Sequence, residues 1–162
     1  MVSNKKRLYV ALYPSSVTNN EERMYHWGFL IGPKREGATP SDAVPGVRYH
    51  VKNTPTQGWF YYEVPLTNVR TTANLLARIV VAKVTDEARL ITILRETPVV
   101  QNHPAWRCRT WVADALRRIE EDGTAVGTSC LYWGEIERTG RGYDLERPKP
   151  TWDLLEGRET VP

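Results

Sequence analysis

The residues around Cys108 form the most regular pattern in the chain and constrain its fold most strongly. Counting from Cys108 in steps of three and four residues reaches only apolar side chains: Trp111, Val112, Ala115, Leu116 and Ile119. This period predicts an amphipathic helix over residues 106–121, with a polar cap-like start at residues 102–104 and a stop at Asp122 and Gly123. The apolar side of such a helix has to pack against another layer of structure, and Cys108 lies in its first turn.

That second layer is predicted to be a β-sheet. Five segments before the helix have strand-like composition and alternation: residues 5–13, 25–32, 47–53, 59–64 and 75–84. Pro65 is expected to stop the fourth strand. A short helix is expected between a cap at residues 85–87 and a stop at Thr97 and Pro98, and another is expected over residues 130–138. The predicted fold class is α+β, a central antiparallel sheet of about five strands packed against a helix with Cys108 at its N-terminus.

Length and composition limit the classes of protein. The 162 residues predict one domain over residues 1–138, followed by an irregular tail over residues 139–162. A net charge of +3 with dispersed basic residues does not indicate a nucleic-acid partner. Two cysteines predict a reducing, cytoplasmic setting, and no apolar stretch is long enough to cross a membrane. The sequence gives no indication of the oligomeric state.

Two histidines are candidates for chemistry together with Cys108. His26 lies on the second predicted strand, on the face opposite Trp27, and His50 lies at the centre of the third strand. Gly28 is expected to leave open space beside His26. If the two strands pair, both imidazoles lie on one side, and a helix packed on that side would present Cys108 to them.

The electrostatics of a helix start are expected to favour the thiolate form of Cys108. A cysteine nucleophile needs a nearby imidazole and a third group that orients it, which is the set that these residues offer. The ordinary alternative is that Cys108 is a small core side chain and that each histidine is a hydrogen-bonded sheet residue. Cys130 and His103 are interpreted as core filler and a loop residue.

The sequence His-Trp-x-x-x-x-Gly at residues 26–32, a histidine on the next strand and a cysteine opening a later helix resemble the permuted NlpC/P60 branch of the papain-like fold, which includes lecithin:retinol acyltransferase-like proteins. The resemblance implies that His26 is a general base, His50 orients it and Cys108 forms an acyl-enzyme. The whole sequence also resembles a set of small uncharacterised fungal proteins, which implies no activity.

A cysteine hydrolase or acyltransferase would act on a small-molecule or peptide acyl substrate and would need no cofactor. Backbone N–H groups at the helix start would bind the oxyanion. Six further side chains are candidates for contact with substrate: Trp27, Arg48, Lys52, Asn53, Gln101 and Trp111. Arg48 and Lys52 indicate an anionic substrate, Asn53 is a spare orienting group and Gln101 is a spare oxyanion donor.

Two other functions remain open on the sequence. His26, His50 and Cys108, with or without Cys130, are the residue types of a zinc site. A non-catalytic binding module would use the same aromatic and basic cleft to hold an acidic or planar ligand, because a fold can keep its cleft without its chemistry.

Overall fold

The computed structural model describes residues 5–15, 20, 24–34, 36, 42–70, 74–142 and 151–160. Along the chain the elements are β1 (Arg7–Pro14), β2 (Tyr25–Gly32), β3 (Gly46–Thr54), β4 (Gly58–Leu66), β5 (Ala77–Val84), α1 (Glu87–Glu96), α2 (Cys108–Asp122), β6 (Val126–Ser129), α3 (Trp133–Arg141), β7 (Thr151–Asp153) and β8 (Arg158–Thr160).

All eight strands belong to one open sheet. Its order is β4-β3-β2-β1-β5-β7-β8, and β6 also pairs with β5. The pairs from β4 to β5 are antiparallel, whereas β7 runs parallel to β5. The α+β class is therefore confirmed, with a sheet larger than the five strands expected.

The additional strands come from segments that lack a strand pattern in the sequence. β6 lies between α2 and α3, where no strand is predicted from the sequence, and β7 and β8 lie in the segment expected to be an irregular tail. The prediction for residues 151–160 is therefore wrong, while residues 143–150 and 161–162 lie outside the described residues.

Pro65 was expected to stop the fourth strand, but it lies inside β4. The strand continues to Leu66, and Pro65 pairs with Val47 of β3. β4 ends the sheet order, so its outer side has no neighbouring strand among the described residues. A proline is tolerated on such an edge because its missing N–H removes no ladder hydrogen bond there.

The two faces of the sheet differ in what covers them. Trp27 and Phe29 of β2 pack in the larger core cluster together with Trp111 of α2. Tyr9 and Tyr13 of β1 belong to a smaller cluster on the opposite face. α2 therefore packs on the Trp27 face, and the expectation that it would cover the face that carries His26 is wrong.

The start of α2 differs from the predicted cap at residues 102–104. The N-cap is Arg107, whose backbone N–H donates to Thr110 Oγ1 at 3.2 Å. Cys108 is the first helical residue, and Gly123 ends the helix in the left-handed conformation with φ of 73°. Capping thus fixes the thiol at the very start of the helix.

Candidate active site

The two histidine side chains are joined by a hydrogen bond. His26 Nε2 and His50 Nδ1 lie 2.8 Å apart, on neighbouring strands β2 and β3. The His50 ring also packs against Tyr62 of β4, with 4.0 Å between ring centroids. The structure therefore brings both predicted imidazoles together on one face of the sheet.

Gly28 allows this close approach, but in a different way from the one predicted. A Cβ atom on Gly28 would lie 3.0 Å from His50 Cβ and 3.3 Å from the carbonyl oxygen of Tyr49. The space beside His26 is therefore filled by His50 and is not open. The glycine is needed because β3 packs closely against this part of β2.

The thiol of Cys108 reaches β2 from the face of the sheet that α2 covers, opposite the two imidazoles. Its Sγ accepts a hydrogen bond from the backbone N–H of Trp27 at 3.5 Å. Trp27 directly follows His26, so covalent geometry puts the sulfur within about 6 Å of the Cα atom of His26.

The described ladder between β2 and β3 covers only residues 29–31 of β2. The Trp27 N–H lies beyond that ladder, and Cys108 accepts the hydrogen bond that an adjacent strand would otherwise accept. The thiol thus contacts β2 where the strand has no described ladder partner on that side, at the residue that follows His26.

Only some of the imidazole nitrogens form hydrogen bonds within the described part of the chain. The bond between His26 Nε2 and His50 Nδ1, at 2.8 Å, is the one that the described residues make with these two rings. His50 Nε2 is buried without a hydrogen-bond partner in the described part of the chain. His26 Nδ1 likewise has no described partner and is left to act on another group, provided that Nε2 carries the proton.

Burial sets the protonation states of all three side chains. It is the main cause that lowers the pKa of His26 to about 4 and that of His50 to about 3, and the nearby positive charges of Arg48 and Lys52 contribute to both values. Burial raises the pKa of the Cys108 thiol, although backbone N–H groups and Arg109 act in the opposite direction. The predicted thiolate is therefore wrong: at neutral pH the thiol is protonated and both imidazoles are neutral.

Both aromatic candidates for substrate contact are core residues. Trp27 and Trp111 are completely buried. Trp27 packs edge-on against Trp133, and Trp111 packs against Phe29 and Tyr61. They support the layer between α2 and the sheet, and they do not line a cleft.

Asn53 and Gln101 line a different place, a groove of about 480 Å³ beside β4 that also includes Trp59 and His103. The Gln101 side chain accepts from the Trp59 N–H at 3.0 Å and donates to the Trp59 carbonyl oxygen. Its amide therefore imitates one residue of a neighbouring strand at the sheet edge. The structure does not bring Gln101 to the thiol as an oxyanion donor.

Arg48 and Lys52 share the face of the imidazole pair. Arg48 is half-buried and its guanidinium lies 5.2 Å from the centre of the Tyr13 ring, whereas Lys52 is exposed. Tyr13 pairs in register with His26, and the two rings are 6.2 Å apart. Tyr13 was not predicted as a site residue, although the alternation of β1 and its length indicated a side chain at this end of the strand.

A family model for a family of unknown function, DUF6914, matches residues 5–161. This chain belongs to that family. The search of curated proteins and the search of solved structures each found no match to this chain.

The described residues of this DUF6914 chain contain no group of three histidine, cysteine, aspartate or glutamate side chains placed to hold a metal ion. The zinc set considered from the sequence is therefore not formed there. Cys130 lies away from the imidazole pair, and its thiol donates to Glu135 at 3.6 Å. His103 is exposed in its loop and accepts from the Ala105 N–H at 3.2 Å.

None of the helices in the described part of this DUF6914 chain has both the length and the apolar character needed to cross a membrane.

Proposed function

We propose that this protein is a cysteine-dependent acyl-transfer enzyme, a hydrolase or an acyltransferase, with Cys108 as nucleophile. One observation carries the proposal: His26 is held by His50 through a 2.8 Å hydrogen bond, and the Cys108 sulfur contacts the backbone N–H of the next residue, Trp27. A thiol, an imidazole and a group that orients the imidazole are the parts that this chemistry needs.

The protonation states favour general-base catalysis over a preformed ion pair. His26 Nδ1 takes the thiol proton while the sulfur attacks the carbonyl carbon of the substrate, so that a C–S bond forms. The resulting imidazolium donates through Nε2 to His50 Nδ1, which strengthens that hydrogen bond. N–H groups in the first turn of α2 would stabilise the oxyanion.

The remaining steps return the enzyme to its starting state. The bond between the carbonyl carbon and the leaving group breaks, and the leaving group takes the proton from His26. Water or an amine then attacks the thioester and His26 accepts its proton. The C–S bond breaks, the departing sulfur takes that proton from His26, and the acyl product and the Cys108 thiol are released. The resemblance to permuted NlpC/P60 proteins supports this order of events, and the two free cysteines support a cytoplasmic setting.

Alkylation by iodoacetamide near neutral pH tests the proposal, with Cys130 as an internal reference. Burial raises the pKa of both thiols, and Cys108 is the more buried of the two. Without assistance from a base, Cys108 would therefore react no faster than Cys130. We expect Cys108 to be alkylated at least about tenfold faster, as measured by peptide mass spectrometry.

The matched variants are His26→Gln and His103→Gln. Replacing His26 should slow alkylation of Cys108 to the rate of Cys130, whereas replacing the exposed loop residue His103 should change neither rate. Equal, slow labelling of both cysteines in the unmodified protein would contradict the proposed function.

A non-catalytic binding module is the second candidate. It is favoured by the burial of Cys108, which is 7% exposed, and by the packing of α2 on the face opposite the imidazoles. In that case the imidazole face would bind its ligand without forming a covalent bond, and the two thiols would be alkylated at similar rates.

A further inference from the structure

The groove of about 480 Å³ beside β4 offers space for a ligand outside the imidazole face. One wall is made by Asn53, Gly58 and Trp59 at the ends of β3 and β4, and the other by residues 101–104 of the loop that leads to α2. Neither the Cys108 thiol nor the imidazole pair lines it. Small-molecule sites commonly have volumes of about 300–1,000 Å³. The groove is therefore large enough for a ligand and separate from the proposed acyl chemistry.

Trp59 gives this groove an aromatic wall whose position is fixed. Its ring packs at 84° against that of the buried Trp106, with 5.3 Å between the ring centroids. Asn53 pairs in register with Trp59, so the two side chains stand next to each other on the same face of the sheet. Trp59 is only half-buried, which leaves part of the residue accessible beside the Asn53 amide.

Three exposed carboxamide groups line the groove together with Trp59: Asn53, Gln101 and Asn102. The two hydrogen bonds that hold Gln101 to the Trp59 backbone leave one N–H and one lone pair of its amide available in a fixed position. Asn102 turns the loop with a φ of 55°. Asparagine adopts this conformation more readily than most residues, so the loop carries an amide where glycine would carry none.

The lining of the groove is also free of acidic and basic chains. Asp, Glu, Lys and Arg make up 25% of the sequence, yet none of them lines the groove. A phosphate or carboxylate group would therefore find no cation among the lining residues. Hydroxyl groups both donate and accept hydrogen bonds, as carboxamides do, and the C–H face of a sugar ring packs well on an indole. The lining thus matches a ligand that is neutral, rich in hydroxyl groups and apolar on one face.

We propose that this groove binds a neutral carbohydrate. One face of a sugar ring packs against Trp59, and its hydroxyl groups exchange hydrogen bonds with the amides of Asn53, Gln101 and Asn102. Because Trp106 and the Gln101 hydrogen bonds already hold the two walls, little conformational freedom is lost on binding. The site needs no thiol chemistry and so goes beyond the acyl-transfer proposal.

Titration of ¹⁵N-labelled protein with cellobiose, maltose and N,N′-diacetylchitobiose, each on its own, tests the groove. Two-dimensional ¹H–¹⁵N NMR follows the indole N–H of Trp59 and the side-chain amides of Asn53, Gln101 and Asn102. We expect saturable shifts of these signals with at least one of the three neutral disaccharides. Adenosine monophosphate, which has a planar base but is charged, is the comparison probe and should bind more weakly than that sugar.

Trp59→Ala should weaken sugar binding by about tenfold or more, because it removes the aromatic wall. If that variant does not fold, Asn53→Ala and Asn102→Gly each remove one exposed amide and should each weaken binding by about two- to tenfold. Glycine suits the positive φ of Asn102, so the second substitution keeps the loop conformation.

Gln57→Ala is the matched control, because Gln57 is exposed in the turn between β3 and β4 but does not line the groove. It should bind the sugar as the unmodified protein does. Absence of saturable shifts with all three disaccharides, tighter binding of adenosine monophosphate than of any of them, or equal binding by Asn53→Ala and Gln57→Ala would overturn the proposal.

The carbohydrate site and the acyl-transfer proposal fail separately. Sugar binding together with slow alkylation of Cys108 would refute acyl transfer and support the groove as a carbohydrate site. Fast alkylation of Cys108 without sugar binding would do the reverse.

Discussion

At the scale of single residues, the chemistry of this protein depends on which of two opposing effects controls the Cys108 thiol. The N-terminus of a helix favours a nearby negative charge by about 0.3–1 kcal/mol at an exposed site. Full burial can shift a pKa by several units, each worth about 1.4 kcal/mol. Desolvation is therefore the larger effect, and it raises the thiol pKa. The sequence places Cys108 on the inward-packing side of the helix, but it does not show that burial outweighs the effect of the helix N-terminus on the thiol pKa.

The pH dependence of Cys108 acylation follows from this balance. His26, with a pKa of about 4, is a neutral base above roughly pH 5, and the thiol stays protonated to well above neutral pH. We expect the rate constant for reaction with p-nitrophenyl acetate to be nearly constant from about pH 5.5 to 8 and to fall as His26 is protonated. A rate that instead rises about tenfold per pH unit would indicate an unassisted thiolate.

Folding stability should also depend on the imidazole pair. Between pH 6.5 and the lowered pKa values of about 4 and 3, the unfolded histidines bind protons that the folded ones do not. The free energy of unfolding should therefore be highest above pH 6.5 and fall as the pH decreases, by up to about 1.4 kcal/mol per pH unit for each histidine. Urea denaturation at pH 5 and pH 7 measures this difference.

His50→Gln should reduce the difference in unfolding free energy between pH 5 and pH 7, because it removes one of the two groups that resist protonation. His103→Gln is the control and should keep the difference seen in the unmodified protein. An unchanged difference in His50→Gln would contradict the assigned burial of the pair.

At the scale of elements, the alternation of apolar and polar residues predicted the strands and their faces, but it did not predict which face of the sheet α2 covers. The bounds of β2 and the opposite faces of Trp27 and His26 are found as predicted. The side of the sheet that α2 covers was not predicted correctly, because both faces of β2 and its neighbours carry apolar residues. Only the volumes of the packed side chains decide that choice.

The contact between β2 and β3 gives a prediction at this scale. Gly28→Ala places a Cβ atom 3.0 Å from His50 Cβ, so β3 and the imidazole have to move. We expect a loss of stability of about 1–3 kcal/mol and at least a tenfold slower acylation of Cys108, measured by urea denaturation and by mass spectrometry.

Gly32→Ala is the matched control for Gly28→Ala. Its Cβ atom would lie 3.2 Å from Val69 Cγ2, on the same strand but away from the imidazoles. It should lose stability and keep its acylation rate. Equal acylation rates in the two variants would contradict a role for the His26–His50 contact.

At the scale of the whole molecule, the C-terminal segment completes the sheet. β7 and β8 have three residues each, too few for a periodic signal, and the register of β7 depends on its pairing with β5. Thr151 of β7 accepts hydrogen bonds from the buried Arg78 at 3.0 and 3.2 Å. A contact between residues so far apart in the sequence could not be predicted from local pattern.

Thr151→Val tests this connection. The variant keeps the shape of the side chain but removes the oxygen that accepts from Arg78, so we expect a loss of roughly 1.5–3 kcal/mol in unfolding free energy. Thr128→Val, at an exposed position of β6, is the control and should change stability by less than about 0.5 kcal/mol. Equal effects of the two substitutions in urea denaturation would show that Thr151 does not stabilise the sheet in this way.

Intact-protein mass spectrometry after rapid mixing with p-nitrophenyl acetate tests whether Cys108 is a nucleophile assisted by His26. We expect one acetyl group on Cys108, present in the unmodified protein and in Cys130→Ala, absent in Cys108→Ala and formed much more slowly in His26→Gln. Absence of an acetyl adduct in the unmodified protein, or an adduct that forms equally fast after His26 is replaced, would contradict it.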